Sequence, residues 1–448
     1  MPRALAFVSL SVVTVSLVHP PSAAAQAAGG DRAGSPKGQG PSGAALVPDE
    51  RPNTEGGDTA VSADEMKQLE GAAAADSAAR AESEKSAPPP SAPAPQRRGS
   101  LATFIQSMNP DLALILDVAG AVFSAKDPNM LGGHDPTRTG FNLQQLELHL
   151  GASVDPYFRL DANIVFSLDG VEVEEAYGTT LGLPAGLQLR AGQFLTQFGR
   201  INSTHPHAWH FADIPLANAK FFGSDGSRGL GVELSWLTPL PWYTELVVSG
   251  TMPDSGDCCS HSFYGDQSVD ITGPGSFLYT FALKQFFDLS RDWSAYWGLS
   301  AQVGPNPTGH RHRTEIYGTD LYIRYRPVHS QTRTAVSLQI EGMGRRRDGP
   351  THTLVDWGGY GQLIWNINRE WEVGGRYGFA TGLDDDYLDP TWTGLRQRAS
   401  VQTTFYPSHF SRLRLQGNWD SSSWLDKPVW GGILALELVI GAHGAHKY

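Results

Sequence analysis

From Asp111 onward, hydrophobic and polar residues alternate in stretches of about ten. This period of two marks strands with two different faces. In one stretch Phe158, Leu160, Ala162, Ile164 and Phe166 share a side, with Arg159, Asp161, Asn163 and Ser167 opposite. In another Leu146, Leu148 and Leu150 oppose Gln145, Glu147 and His149. A third sets Trp293, Ala295, Trp297, Leu299, Ala301 and Val303 against Ser294, Tyr296, Ser300 and Gln302. Such faces suit either a soluble sandwich or a barrel with apolar residues toward lipid and polar residues toward a wet lumen.

The connections decide between these. Sixteen segments fit into 111–448, an even number. Every second connection is tight, as at Asp155-Pro156, Pro239-Leu240-Pro241 and Pro407-Ser408-His409, and most of the others are long, at 126–140, 196–227, 253–275, 305–312, 345–352, 381–394 and 420–431. Short turns on one side and long loops on the other are what an up-and-down membrane barrel requires. Aromatics flank the tight turns (Tyr157-Phe158, Trp242-Tyr243, Trp293, Trp371, Phe405-Tyr406, Phe410), a belt suited to headgroups. The predicted fold is all-β: a 16-stranded antiparallel up-and-down transmembrane β-barrel over residues 101–448.

Residues ahead of the barrel read differently. Arg3, the apolar run Ala4–Val18 and the small residues Ala23–Ala25 predict a cleaved secretory signal over 1–25. Residues 26–100, rich in Ala, Pro, Gly and Ser, predict a disordered periplasmic tail with a short helix over 63–85. No later stretch is long and apolar enough for a membrane helix. The composition agrees, with 18% charged residues, 50 Gly and 12 Trp. A net charge of −12 argues against nucleic acid as a partner. Two cysteines exclude a disulfide scaffold.

Leu434, Leu436, Leu438, Ile440, Ala442 and Tyr448 share one face of the last segment. That ending resembles the insertion signal of Gram-negative outer-membrane proteins, which implies the outer membrane as location and the barrel-insertion machinery as a partner. Sixteen strands with a long third external loop resemble the general and phosphate-selective porins. The blocks NPDLALILDVAG (109–120), GQFLTQFGRINSTHPHAWHFADIPL (192–216) and GAHGAH (441–446) resemble a family labelled zinc-regulated TonB-dependent outer-membrane receptor. Receptors of the TonB-dependent type resemble 22-stranded barrels with a plug of well over one hundred residues, which the tail here is too short to supply. The porin resemblance implies an infolded third loop that narrows the pore, and a homotrimer.

The third loop, Thr196 to Arg228, carries Trp209, Phe211, Phe221 and Phe222, too many apolar groups to hang in water. A helix between Ser203 or Thr204 and Lys220 is expected, limited to about two turns by Pro215. In HPHAWHFAD, His205, His207, His210 and Asp213 suit a divalent ion such as zinc if they share a helix side. Their plainer role is to hydrogen-bond the loop to the wall. On the wall, Arg396 and Arg398 share the lumen register with Ser400 and Gln402, and Arg412 and Arg414 with Gln416. Arg324 and Arg326 reinforce them, and Glu147, Asp161, Glu172, Glu174 and Glu370 would face them across the pore. The expected constriction is therefore Arg200, His207, His210 and Asp213 on the loop and Arg398, Arg412 and Arg414 on the wall. Cys258-Cys259, beside Asp257 and His261, leave metal binding, cross-linking and a strained vicinal bond open.

No nucleophile elbow, zinc-protease, phosphate-loop or dinucleotide pattern stands in a suitable context, so no enzyme is expected. The expected function is an outer-membrane porin-like channel for passive diffusion of small hydrophilic solutes or ions, with no required cofactor. The alternatives are a receptor or uptake barrel for a divalent metal such as zinc, and a structural barrel tethering the outer membrane.

Overall fold

The alternating segments become strands whose buried positions recur every second residue. In the first, Ala113, Ile115, Asp117, Ala119 and Ala121 point inward. The computed structural model describes residues 110–168, 170–253, 259–264, 271–329, 333–386 and 389–441. The leader, the tail with its helix, Asp257, Cys258 and the terminal residues 442–448 lie outside these.

The strands are β1 (Asp111–Phe123), β2 (Gly140–Ser153), β3 (Phe158–Phe166), β4 (Val171–Thr180), β5 (Leu187–Leu195), β6 (Arg228–Leu237), β7 (Tyr243–Pro253) and β8 (Leu278–Asp288). They continue as β9 (Trp293–Pro305), β10 (Arg313–Tyr325), β11 (Ala335–Asp348), β12 (Thr353–Asn366), β13 (Trp371–Ala380), β14 (Arg396–Ser408), β15 (Ser411–Ser422) and β16 (Val429–Gly441). Each pairs antiparallel with its sequence neighbours, and β1 closes on β16 with Leu116 opposite Leu438, so the sheet is a closed barrel. Closure leaves no unpaired edge, the condition for strands to cross hydrocarbon. Among the described residues two α-helices occur, α1 (Leu216–Phe222) in the third external loop and α2 (His261–Tyr264) in the fourth.

The outer surface carries the apolar set, with Leu234, Val248, Leu415, Leu434 and Ile440 all exposed. At the turn rim Trp293 packs on Tyr325 and Trp371 on Phe405, each with ring centroids 4.8 Å apart. The opposite rim has its own exposed aromatics, Phe141, Trp357 and Trp430. The inner face is polar, with Gln145, Gln339, Arg345, Gln362, Arg396 and Gln416 buried from bulk solvent.

The structure differs from the expected loops at 345–352, because β11 continues to Asp348. Inward Arg345 and Arg347 extend it by pairing with Asp386, which lies between β13 and β14.

Candidate functional site: the infolded third loop

The β5–β6 connection enters the lumen and crosses it. Thr196 N–H donates to Ser227 carbonyl at its base. Gly199, at φ 61°, turns the chain, and its N–H donates to Ser300 on β9. The Arg200 and Ile201 N–H groups both donate to Glu341 Oε1 on β11, at 3.1 and 2.9 Å. The loop then runs to the other wall. His205 Nδ1 lies 3.0 Å from Glu174 Oε2, and His207 Nδ1 lies 2.8 Å from Glu147 Oε2. His210 Nδ1 reaches Glu372 on β13 at 3.0 Å.

Asp213, fully buried, receives Arg376 at 2.6 Å, Arg398 at 2.7 Å and Gln416 at 2.5 Å. Helix α1 follows directly on Pro215, and Lys220 within it meets Asp356 on β12 at 2.5 Å. Phe198, Ala217, Phe221 and Phe222 then pack with Phe263, Leu278, Ile316 and Met343, so this part of the lumen is apolar rather than wet.

The expected constriction residues all line this crossing, but most are committed to partners. Arg412 pairs with Glu437, and its Nη1 donates to the Trp209 carbonyl at 3.1 Å. Arg414 Nη2 donates to the same carbonyl at 2.7 Å. Arg396 and Arg398 share Asp420, at 2.9 and 2.7 Å. Arg396, Arg398 and Arg412 thus pair with acids of the next strand or the loop and Arg414 is bound to the loop backbone, so the four do not form an open positive ladder. Arg200 differs. Its guanidinium stacks 4.1 Å over Tyr322 and, among the described residues, makes no ion pair.

Two expectations require correction. The helix does not start at Ser203 or Thr204, because residues 206–208 form one 3-10 turn and the chain is extended again at Trp209 and Pro215. Spacing by three therefore does not gather the side chains. His205 and His207 face β2 and β4, while His210 and Asp213 face β13–β15, so His205, His207, His210 and Asp213 do not converge as one ligand set. In the fourth loop His261 Nε2 pairs with Asp389 Oδ1 at 2.7 Å, and Cys259 is buried beside it.

Burial alone would push the His205 imidazolium down, yet Glu174 and Glu147 beside it hold it well above the usual histidine value. Burial would likewise raise the Asp213 carboxyl, but Arg376 and Arg398 hold it below the ordinary range. Lys220 is pushed down to about 8 by burial and by neighbouring Arg345.

Alternation along the sequence assigns Glu174 to the lumen but sends Glu175 to lipid. In the structure both are buried, because β3 and β4 slip by one residue between Asn163 and Ile164. This β-bulge turns two successive side chains inward. A second slip, between Asp117 and Val118, lets Gln144 donate to the carbonyls of His134 and Ala212. Only the unbroken period is visible in sequence, so neither aim could be read there. Glu372 and Glu341 were readable as inward acids, but not their loop partners.

On the turn side of the loop, against β2–β9, a cavity of about 790 Å³ is bordered by Arg159, Asp161, Arg190, Arg200, Glu245 and Lys284. Both signs of charge border it, as suits hydrated polar solutes.

No protein-family model matches the chain. It is 33% identical over 389 residues to an uncharacterised protein of Aquifex aeolicus strain VF5, covering 76% of this chain and 80% of that one. The barrel is similar to that of Pseudomonas putida OprB, with TM-score 0.51 and 11% identity over 75% of this chain and 96% of that one. It is similar as well to the outer membrane channel DcaP of Acinetobacter baumannii, with TM-score 0.50 and 14% identity over 74% and 97%. These likenesses concern the porin fold and lend nothing to the TonB-dependent resemblance.

Proposed function

We propose, for a chain that belongs to one family with the uncharacterised Aquifex aeolicus protein and folds as the porins do, that it is an outer-membrane channel of a Gram-negative bacterium. Small hydrophilic solutes or ions pass down their gradient between the infolded loop and the polar wall. The observation that carries this reading is the charged cavity beneath that loop, bordered by Arg200 and Lys284 and by Asp161 and Glu245. A structural barrel needs no such hydrated, two-signed space. Because the loop is tied across the lumen, unit conductance is small, and the passage runs beside the loop.

The test is single-channel recording in planar bilayers. Steady ohmic steps are expected, and Arg200→Glu shifts the reversal potential in a salt gradient toward cation preference, since this guanidinium borders the cavity and makes no ion pair among the described residues. Electrical silence of a correctly folded, heat-modifiable barrel would reject the channel and leave the tethering barrel.

A further inference from the structure

The pocket where the loop meets β2 and β4 collects more negative charge than its neighbours balance. Glu147, Glu174 and Glu175 are 1%, 4% and 6% exposed. They meet His205 and His207, whose rings stack in parallel 5.7 Å apart. Two imidazoles against three carboxylates leave at least one negative charge even if both rings are protonated. The other cationic neighbours are taken, Arg190 by Glu233, Arg228 by Glu172 and His134 by Asp225. Buried unmatched charge is costly, and a bound cation would balance it.

Within the pocket one oxygen of Glu147, one of Glu174 and one nitrogen of His205 lie within 4.8 Å of one another. His205 Nδ1 is 3.0 Å from Glu174 Oε2 and 4.0 Å from Glu147 Oε1. Ligand atoms about 2.0–2.2 Å from a zinc-sized ion sit at comparable separations from each other. The surrounding contacts suit ligation too. His205 turns its other nitrogen, Nε2, to Glu175 Oε2 at 2.9 Å, and His207 grips the second oxygen of Glu147. A carboxylate behind a ligating imidazole fixes its tautomer and raises its basicity. Glu147, His205 and His207 also border the 790 Å³ cavity, which gives an ion a way in.

We propose that Glu147, Glu174 and His205 form a divalent-cation site of zinc type that fastens the third loop to the barrel wall. Water from the cavity completes the coordination. The site lies outside the permeation reading above and stands or falls separately from it, since occupancy is measured in detergent whether or not the barrel conducts.

The experiment is calorimetric titration of the full chain, folded in detergent and stripped by chelator, with zinc chloride alone, paralleled by the visible absorption of cobalt(II). One saturable equivalent is expected, weakened at least tenfold in Glu174→Gln and in His205→Gln, and unchanged in His352→Gln and in the His443→Ala/His446→Ala double variant. Heat-modifiability on gels establishes folding of each variant. Should His205→Gln misfold, the isosteric Glu174→Gln carries the comparison. Absence of saturable binding, equal affinity in Glu174→Gln, or loss of binding with the two terminal histidines would each overturn the assignment.

Discussion

Asp135 sits in the loop joining β1 and β2, where its two oxygens accept the N–H groups of Gly132 and Ile214 at 2.9 and 3.0 Å. It thereby latches the first external loop onto the third. Burial and the neighbouring Asp213 push its carboxyl up to about 6 from 3.8. The packed form therefore binds more protons than the open form between those two values. Its contribution to packing is present at low pH and is lost as pH rises through about 6. Hydrogen exchange, corrected for intrinsic rates, should show greater protection of the Ile214 amide at pH 5 than at pH 7.5. Asp135→Asn should flatten that difference, and an unchanged pH response in the variant would assign it elsewhere.

Among the elements, α1 is held by shape as well as charge. A side chain at Gly358 on β12 would place its Cβ 2.8 Å from that of Ala217. Gly358→Val should therefore lift α1 from the wall and strain the Lys220–Asp356 pair, a repacking cost of about 1–3 kcal/mol. Faster protease cleavage between Pro206 and Phe222 with the barrel intact is the expected result, and unaltered cleavage would show that α1 does not depend on this contact. The strands themselves were legible in the sequence, down to the loop bounded by Leu195 and Arg228, because each strand must satisfy two solvents at once and so writes its period openly. The loop interior was not. Its residues answer to partners far along the chain, as Asp213 does to Arg398, and no local period records such pairings. The bulge that aims Glu174 and Glu175 together was hidden for a related reason, since one extra residue inverts the rule that alternation follows.

At the scale of the whole molecule, the outer band sets folding into lipid. Leu436 lies mid-strand on β16 and faces outward beside Leu413 and Val118. Leu436→Arg should cost about 2–4 kcal/mol of folding free energy into bilayers if it sits near the midplane. Urea titrations in lipid vesicles measure this, and a cost near zero would place the position at the headgroups or inside the wall. The arrangement of the third loop has a mechanical consequence as well. It grips β2 and β4 through His207 and His205, β9 and β11 through Gly199 and Ile201, and β13 to β15 through Asp213. A hoop of paired strands is stiff along each strand but yields readily to ovalisation. A strut fixed at three points around the circumference resists that squashing in every direction, so this cylinder should hold its roundness under lateral membrane tension.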